Sequence, residues 1–361
     1  MKRWRVCLRR SLPGPPFAIH IRPTHGWLPS LKTFWLNLKR SVPAGFLAAL
    51  GLSAAFWLFV TWDQSHWWSK KEDYSFGWLV PLFVIYVIYE RWPVILAALK
   101  TCAEPSSPRA AGPHKWLFRG LITCFLGFGA LFFLLGSFYR AGAGPSYPGT
   151  FAITMGTVGL VFGLLLTNAP ETPAPVKATL LGDARVQLVA LMIFPVMIWF
   201  VSAPMVSVIE NQVSLFLLHK VVTVVSFVFD VLGMPVEQEG NLLVLPTGRV
   251  GVAEACSGIR SLTACLFAGS FLAAVFLDKL WKKVTLVAVS MLFAFCTNLL
   301  RGLFLTAYAY NYGPEAIEGT VHDVAGYSVL GLTVIGLLCL LPLFNLRLAS
   351  VDELNSDKEP S

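Results

Sequence analysis

From residue 43 onward, long apolar runs alternate with short polar segments. Runs near 43–61, 78–97, 116–138, 149–168, 188–208, 256–277, 284–309 and 323–345 are each close to the about 20 apolar residues that cross a bilayer as a helix. The pattern predicts an all-α, polytopic transmembrane helical bundle of about eight spans. One stretch departs from it. Within 212–232, His219, Thr223, Ser226 and Asp230 recur every three or four residues and make one polar stripe on an otherwise apolar helix. Such a short amphipathic helix lies in the interface or lines a cavity, and is expected outside the bilayer rather than across it. After it, Asn241–Leu245 and Arg249–Val252 flank Pro246-Thr247-Gly248, which reads as a short hairpin.

Composition agrees with a membrane protein: 56% of residues are hydrophobic and 13% charged, against about 25% charged in soluble domains. The net charge of +8 does not point to nucleic acid, because the cations lie between apolar runs. Residues 1–42 carry nine Lys/Arg but lack the compact apolar core and cleavage site of a signal peptide. They are expected to be a basic cytoplasmic extension of a membrane domain covering 43–346, with 347–361 a cytoplasmic tail and no further C-terminal domain. Trp62, Trp67, Trp68 and the aromatics of 73–78 are expected in an interfacial belt.

Charge also sets orientation. With eight spans, segments on one side carry twenty Lys/Arg, and the other side has five: Lys70, Lys71, Arg140, Lys220 and Arg249. The positive-inside rule puts both termini in the cytoplasm. A ninth crossing by 212–232 is the rival topology. It would send Lys279, Lys282 and Lys283 outward.

Under the eight-span topology Cys256 opens the sixth span and His322 the eighth on the outer side, and Arg301 lies in the outer half of the seventh. An isolated cysteine in an apolar segment is ordinarily a small core residue, a reading that suits Cys124, Cys265, Cys296 and Cys339. Cys256 differs because unpaired amides at a helix start favour a thiolate, and Arg260, four residues on, shares its face. Glu254 works the other way and is expected to orient Arg260, Arg301 or the helix start. Arg301 costs about 2.5–3.5 kcal/mol at a helix centre, so such a residue normally faces the bundle interior or a cavity. Asn298, three residues earlier, is on its face. A structural ion pair is the bland alternative, as helix capping with Asp323 is for His322. Beside a thiol and a guanidinium, His322 is a general acid/base, and Gly326 leaves room for a close neighbour. The seven cysteines show no metal-type clustering, so neither metal nor organic cofactor is expected. Glu210 and the polar stripe are expected on a solvated face, with a substrate groove as their alternative role.

These motifs resemble a known family. Ala255-Cys256-Ser257-Gly258-Ile259-Arg260-Ser261, Asn298-Leu299-Leu300-Arg301 and His322-Asp323-Val324-Ala325-Gly326 are similar, in order and spacing, to the cysteine, N-x-x-R and H-x-x-x-G motifs of the exosortase/archaeosortase family. Weaker likeness at Gly77–Pro81, Asp230–Gly233 and Gly240-Asn241 extends the resemblance over roughly 45–345. Phe76 stands where family members often have histidine, which puts any proton-transfer role of that loop in doubt.

The resemblance implies a cysteine membrane protease/transpeptidase of the bacterial inner membrane, with its active site facing the periplasm. Cys256 would be the nucleophile, Arg301 the thiolate and oxyanion stabiliser, and His322 the general acid/base; Arg260, Asn298 and Glu254 would support them. The implied partners are membrane lipid and membrane-anchored proteins ending in a PEP-CTERM signal (a Pro-Glu-Pro motif, a helix and arginines), with a link to exopolysaccharide production and no nucleic acid. The alternatives from other classes are a membrane transporter using Arg301 and Glu210, and a noncatalytic export or polysaccharide assembly component.

Overall fold

The computed structural model describes residues 41–171, 176–251, 259–277 and 279–345. The apolar runs are helices, the form in which a segment satisfies its own backbone polar groups without water. In chain order they are α1 (Ala44–Lys70), a 3-10 turn (Glu72–Leu79), α2 (Val80–Ala103), α3 (Pro113–Ala143), α4 (Tyr147–Asn168), α5 (Ala184–Ala190), α6 (Ile193–Met197), α7 (Trp199–Ser202), α8 (Ser207–Val231), α9 (Ile259–Phe276), α10 (Leu280–Tyr312) and α11 (Thr320–Asn345). Strands β1 (Pro108–Ala110) and β2 (Val176–Ala178) pair in parallel, while β3 (Glu237–Glu239), β4 (Leu242–Leu245) and β5 (Gly248–Gly251) form an antiparallel meander. The expected hairpin is β4–β5, with Leu245 opposite Gly248.

Among the described residues eight helices are long and apolar enough to cross a membrane, α8 among them, and α5 with α6–α7 is a ninth candidate bent by 52°. The chain is thus a multi-pass, all-α membrane protein. Contacts separate the crossings from the rest. At one end of the bundle Asp183 accepts the Ala110 amide at 2.8 Å and both the amide and the guanidinium of Arg185 at 2.9–3.0 Å. Burial raises the cost of that charge, but the hydrogen bonds from Arg185 and Ala110 outweigh it and hold the carboxyl below its usual range. At the other end the Trp68 indole donates to Ser202 O at 3.0 Å, and the Met205 amide donates to the Tyr74 hydroxyl at 3.0 Å. Residues 184–202 therefore run from the Asp183 end to the Tyr74 end and form one broken span. The break has a local cause. Pro195 lacks an amide and its ring displaces the carbonyl four residues earlier; that carbonyl, Leu191 O, accepts from the Arg91 guanidinium at 2.7 Å.

The chain leaves the Tyr74 end at Met205 and returns to it at α9, where Thr263 Oγ1 donates to Asp73 O at 3.1 Å. Residues 207–251 thus begin and end on one side of the bundle, as expected for an external segment. α8 is longer than the short helix anticipated, at 25 residues. It buries Leu218, Val221, Val222, Val225 and Phe229 against the second half of α10, while His219, Thr223 and Asp230 stay exposed. Phe216, Phe227 and Val231 on its uncovered side give it a span-like composition.

The aromatic loop differs from the expected belt. α1 continues to Lys70 because Gln64 is buried and hydrogen-bonded to Thr154 and Ser202. Trp68 and Tyr74 are core residues at 2% and 0% exposure, leaving only Trp62 and Trp78 of the residues named in a belt-like position.

Candidate active site

Three elements meet beside the Tyr74 end. Gly269 of α9 lies against Ser290 of α10, and the two helices run antiparallel. Ten residues back to Ile259 and eleven forward to Arg301 therefore lead toward the same end. Past Arg301, α10 continues to Tyr312 and is stopped at Gly313; a 3-10 turn over Pro314–Ile317 and Gly319 at φ 64° then reverse the chain into α11. A positive φ is easy for glycine and strained for other residues. This reversal brings the first turn of α11, with His322, back over Arg301.

The Arg301 guanidinium Nη2 lies 2.8 Å from His322 Nε2. A guanidinium has only donors, so Nε2 accepts, and the proton of the neutral ring is carried on Nδ1. Nδ1 in turn lies 3.3 Å from Asp323 Oδ1. The chain Arg301–His322–Asp323 fixes one imidazole tautomer. From the sequence Asp323 is only a capping neighbour of His322; its place in this hydrogen-bond chain is what sequence reasoning missed. Gly326 flanks the guanidinium, and a Cβ there would stand 3.5 Å from Nη2, an ordinary contact. Arg301 Nε is buried and finds no hydrogen-bond partner among the described residues, so one charged donor is left over. Asn298, one turn earlier, is 2% exposed.

Arg260 makes its contacts among the described residues with the 3-10 turn after α1. Its guanidinium pairs with Glu72 and with Asp73 Oδ1 at 3.4 Å, so two carboxylates from the 3-10 turn offset its charge. Nothing in the spacing of the sequence announces this contact between residues so far apart along the chain. Phe76 packs on Phe267 of α9 with ring centroids 5.3 Å apart, which makes it a packing residue. Glu210 is half-buried. Cys256 and Glu254 lie outside the described residues. Of the other cysteines in apolar runs, Cys265 is buried, and Cys124, Cys296 and Cys339 are exposed along helices. No group of three His, Cys, Asp or Glu side chains converges among the described residues.

A family model described as Transmembrane exosortase (Exosortase_EpsH) matches residues 67–339, from the end of α1 into α11. No curated protein and no solved structure matches the chain.

Proposed function

As the chain belongs to the transmembrane exosortase family, we propose that it is a cysteine transpeptidase that cleaves a C-terminal PEP-CTERM-type sorting signal from membrane-anchored exported proteins. The observation that carries this reading is the 2.8 Å contact between Arg301 and His322, two motif residues from different helices. In the proposed reaction the Cys256 thiolate attacks the scissile carbonyl, and the C–N bond breaks as the tetrahedral intermediate collapses to a thioester. Arg301 stabilises the oxyanion, a task for which its buried Nε, without a partner among the described residues, is suited. His322, which took the Cys256 thiol proton as the thiolate formed, delivers it to the departing amine, then removes one from the incoming amine or water that resolves the thioester and returns it to the Cys256 sulfur. Asn298 and Glu254 support the site, and Arg260 holds the start of α9 through Glu72 and Asp73. The site faces the periplasm from the bacterial inner membrane, and the products serve exopolysaccharide-producing cells.

The test is Cys256→Ala at wild-type protein levels with a matched substrate. Loss of processing, together with a thioester trapped on the wild-type protein, is the expected result. Unchanged processing would falsify the proposal. Tolerance of Cys256→Ala combined with sensitivity to Arg301→Ala would instead indicate a transporter.

A further inference from the structure

An open groove of about 450 Å³ lies between α10 and α11, lined by Arg301 and, among others, by Leu300, Phe304, Val324, Ser328 and Leu332. Four of its apolar side chains, Leu300, Phe304, Val324 and Leu332, are 51–58% exposed. In a membrane these would face lipid or a partner. The groove follows the helices rather than crossing them. Its α11 wall extends from Thr320 to Leu332, about 18 Å at 1.5 Å per residue, or more than three helical turns.

We propose that this groove receives the transmembrane helix of the substrate and guides the peptide bond next to that helix to Arg301 and His322. The inference rests on the transpeptidase reading above. Three observations select a polypeptide helix over an acyl chain, and a second copy of this chain is an outcome of the test below. Arg301 is shared: it lines the groove and also makes the 2.8 Å contact with His322. A polypeptide docked here reaches the reacting groups without a further opening. The buried Nε of Arg301 lacks a partner among the described residues, and a main-chain carbonyl is an acceptor that a hydrocarbon chain does not offer. Finally, the α11 wall contains Ala325 and Ser328, residue types that let the backbone of a second helix approach closely in a bilayer.

The experiment uses the full chain in nanodiscs and a membrane-anchored reporter with a Pro-Glu-Pro motif, an apolar helix of about 20 residues and terminal arginines. A photoreactive benzoylphenylalanine replaces Phe304, Leu332 or, as control, Tyr327, which is exposed and is not among the groove residues. With Cys256→Ala to prevent turnover, irradiation should cross-link the reporter at 304 and 332 but not at 327. In the otherwise native chain, Ser328→Leu should raise KM about tenfold with kcat little changed. Adducts at 304 and 332 that consist of phospholipid or a second copy despite saturating reporter would overturn the proposal, as would equal labelling at 327. Cross-linking needs no chemistry, so the two readings fail separately. Labelling without cleavage by the wild-type chain supports the groove and removes the transpeptidase reading; cleavage without groove labelling does the reverse.

Discussion

An arginine placed eleven residues before the end of α10 must find acceptors within reach, since an unpaired guanidinium at that depth is costly. That much is readable from the sequence. The acceptor is not, because it depends on how the loop after Gly313 folds back. The structure supplies His322 Nε2, and Asp323 fixes the tautomer from the far side of the ring. Under the proposed mechanism Arg301 and Asp323 have separable signatures, read from three variants. Arg301→Ala is expected to lower kcat by about 10²–10³, the range for removal of one oxyanion donor. Arg301→Lys should not restore it, since an ammonium lacks the planar fork of donors. Asp323→Ala, which frees the ring to adopt either tautomer, should cost about 10–100-fold, the range for outer-shell partners that orient a metal-bound imidazole. Initial rates of reporter cleavage at matched expression distinguish the three. Equal losses for Asp323→Ala and Arg301→Ala would contradict the division of roles.

At the scale of elements, apolar runs revealed the helices but not what holds them together. The α3–α4 pair shows why. Gly129 and Gly136 of α3 meet Gly149, Gly156 and Gly159 of α4, and a Cβ on Gly156 would overlap the Phe133 backbone. Without a hydrophobic driving force inside lipid, helices associate through such close backbone packing. The glycines are visible in the sequence, yet their partners emerge only when two helices are set side by side. On the same α3, a Cβ added at Gly120 or Gly127 would meet nothing within 4 Å. Gly156→Ala should therefore destabilise the protein by about 1–3 kcal/mol, the usual cost of overpacking, while Gly120→Ala and Gly127→Ala should be neutral or slightly stabilising through helix propensity. Thermal unfolding in detergent checks all three. A drop for Gly127→Ala equal to that for Gly156→Ala would show that helix flexibility, not the seam, is being measured. The broken span is a similar case: Pro195 is visible in the sequence, whereas its compensation by Arg91, 100 positions from Leu191, is not.

For the whole molecule, the central question is whether residues 207–231 cross the membrane. Length and composition alone count α8 as a crossing. Contacts argue otherwise, because the chain enters that segment at Met205 beside Tyr74 and re-enters the bundle at Thr263 beside Asp73. Charge points the same way. An external 207–251 leaves Lys279, Lys282 and Lys283 on the side with most of the Lys/Arg, as the positive-inside rule favours. A ninth crossing would move them to the opposite side, with those cations translocated. Alkaline phosphatase inserted after Met205 and after Gly240 should therefore be active at both places, and inserted after Lys283 it should be inactive. Opposite activities at 205 and 240 would establish the ninth crossing. The Arg301–His322 contact would survive that result, but the membrane face on which it opens would change, and with it the compartment from which a substrate must come.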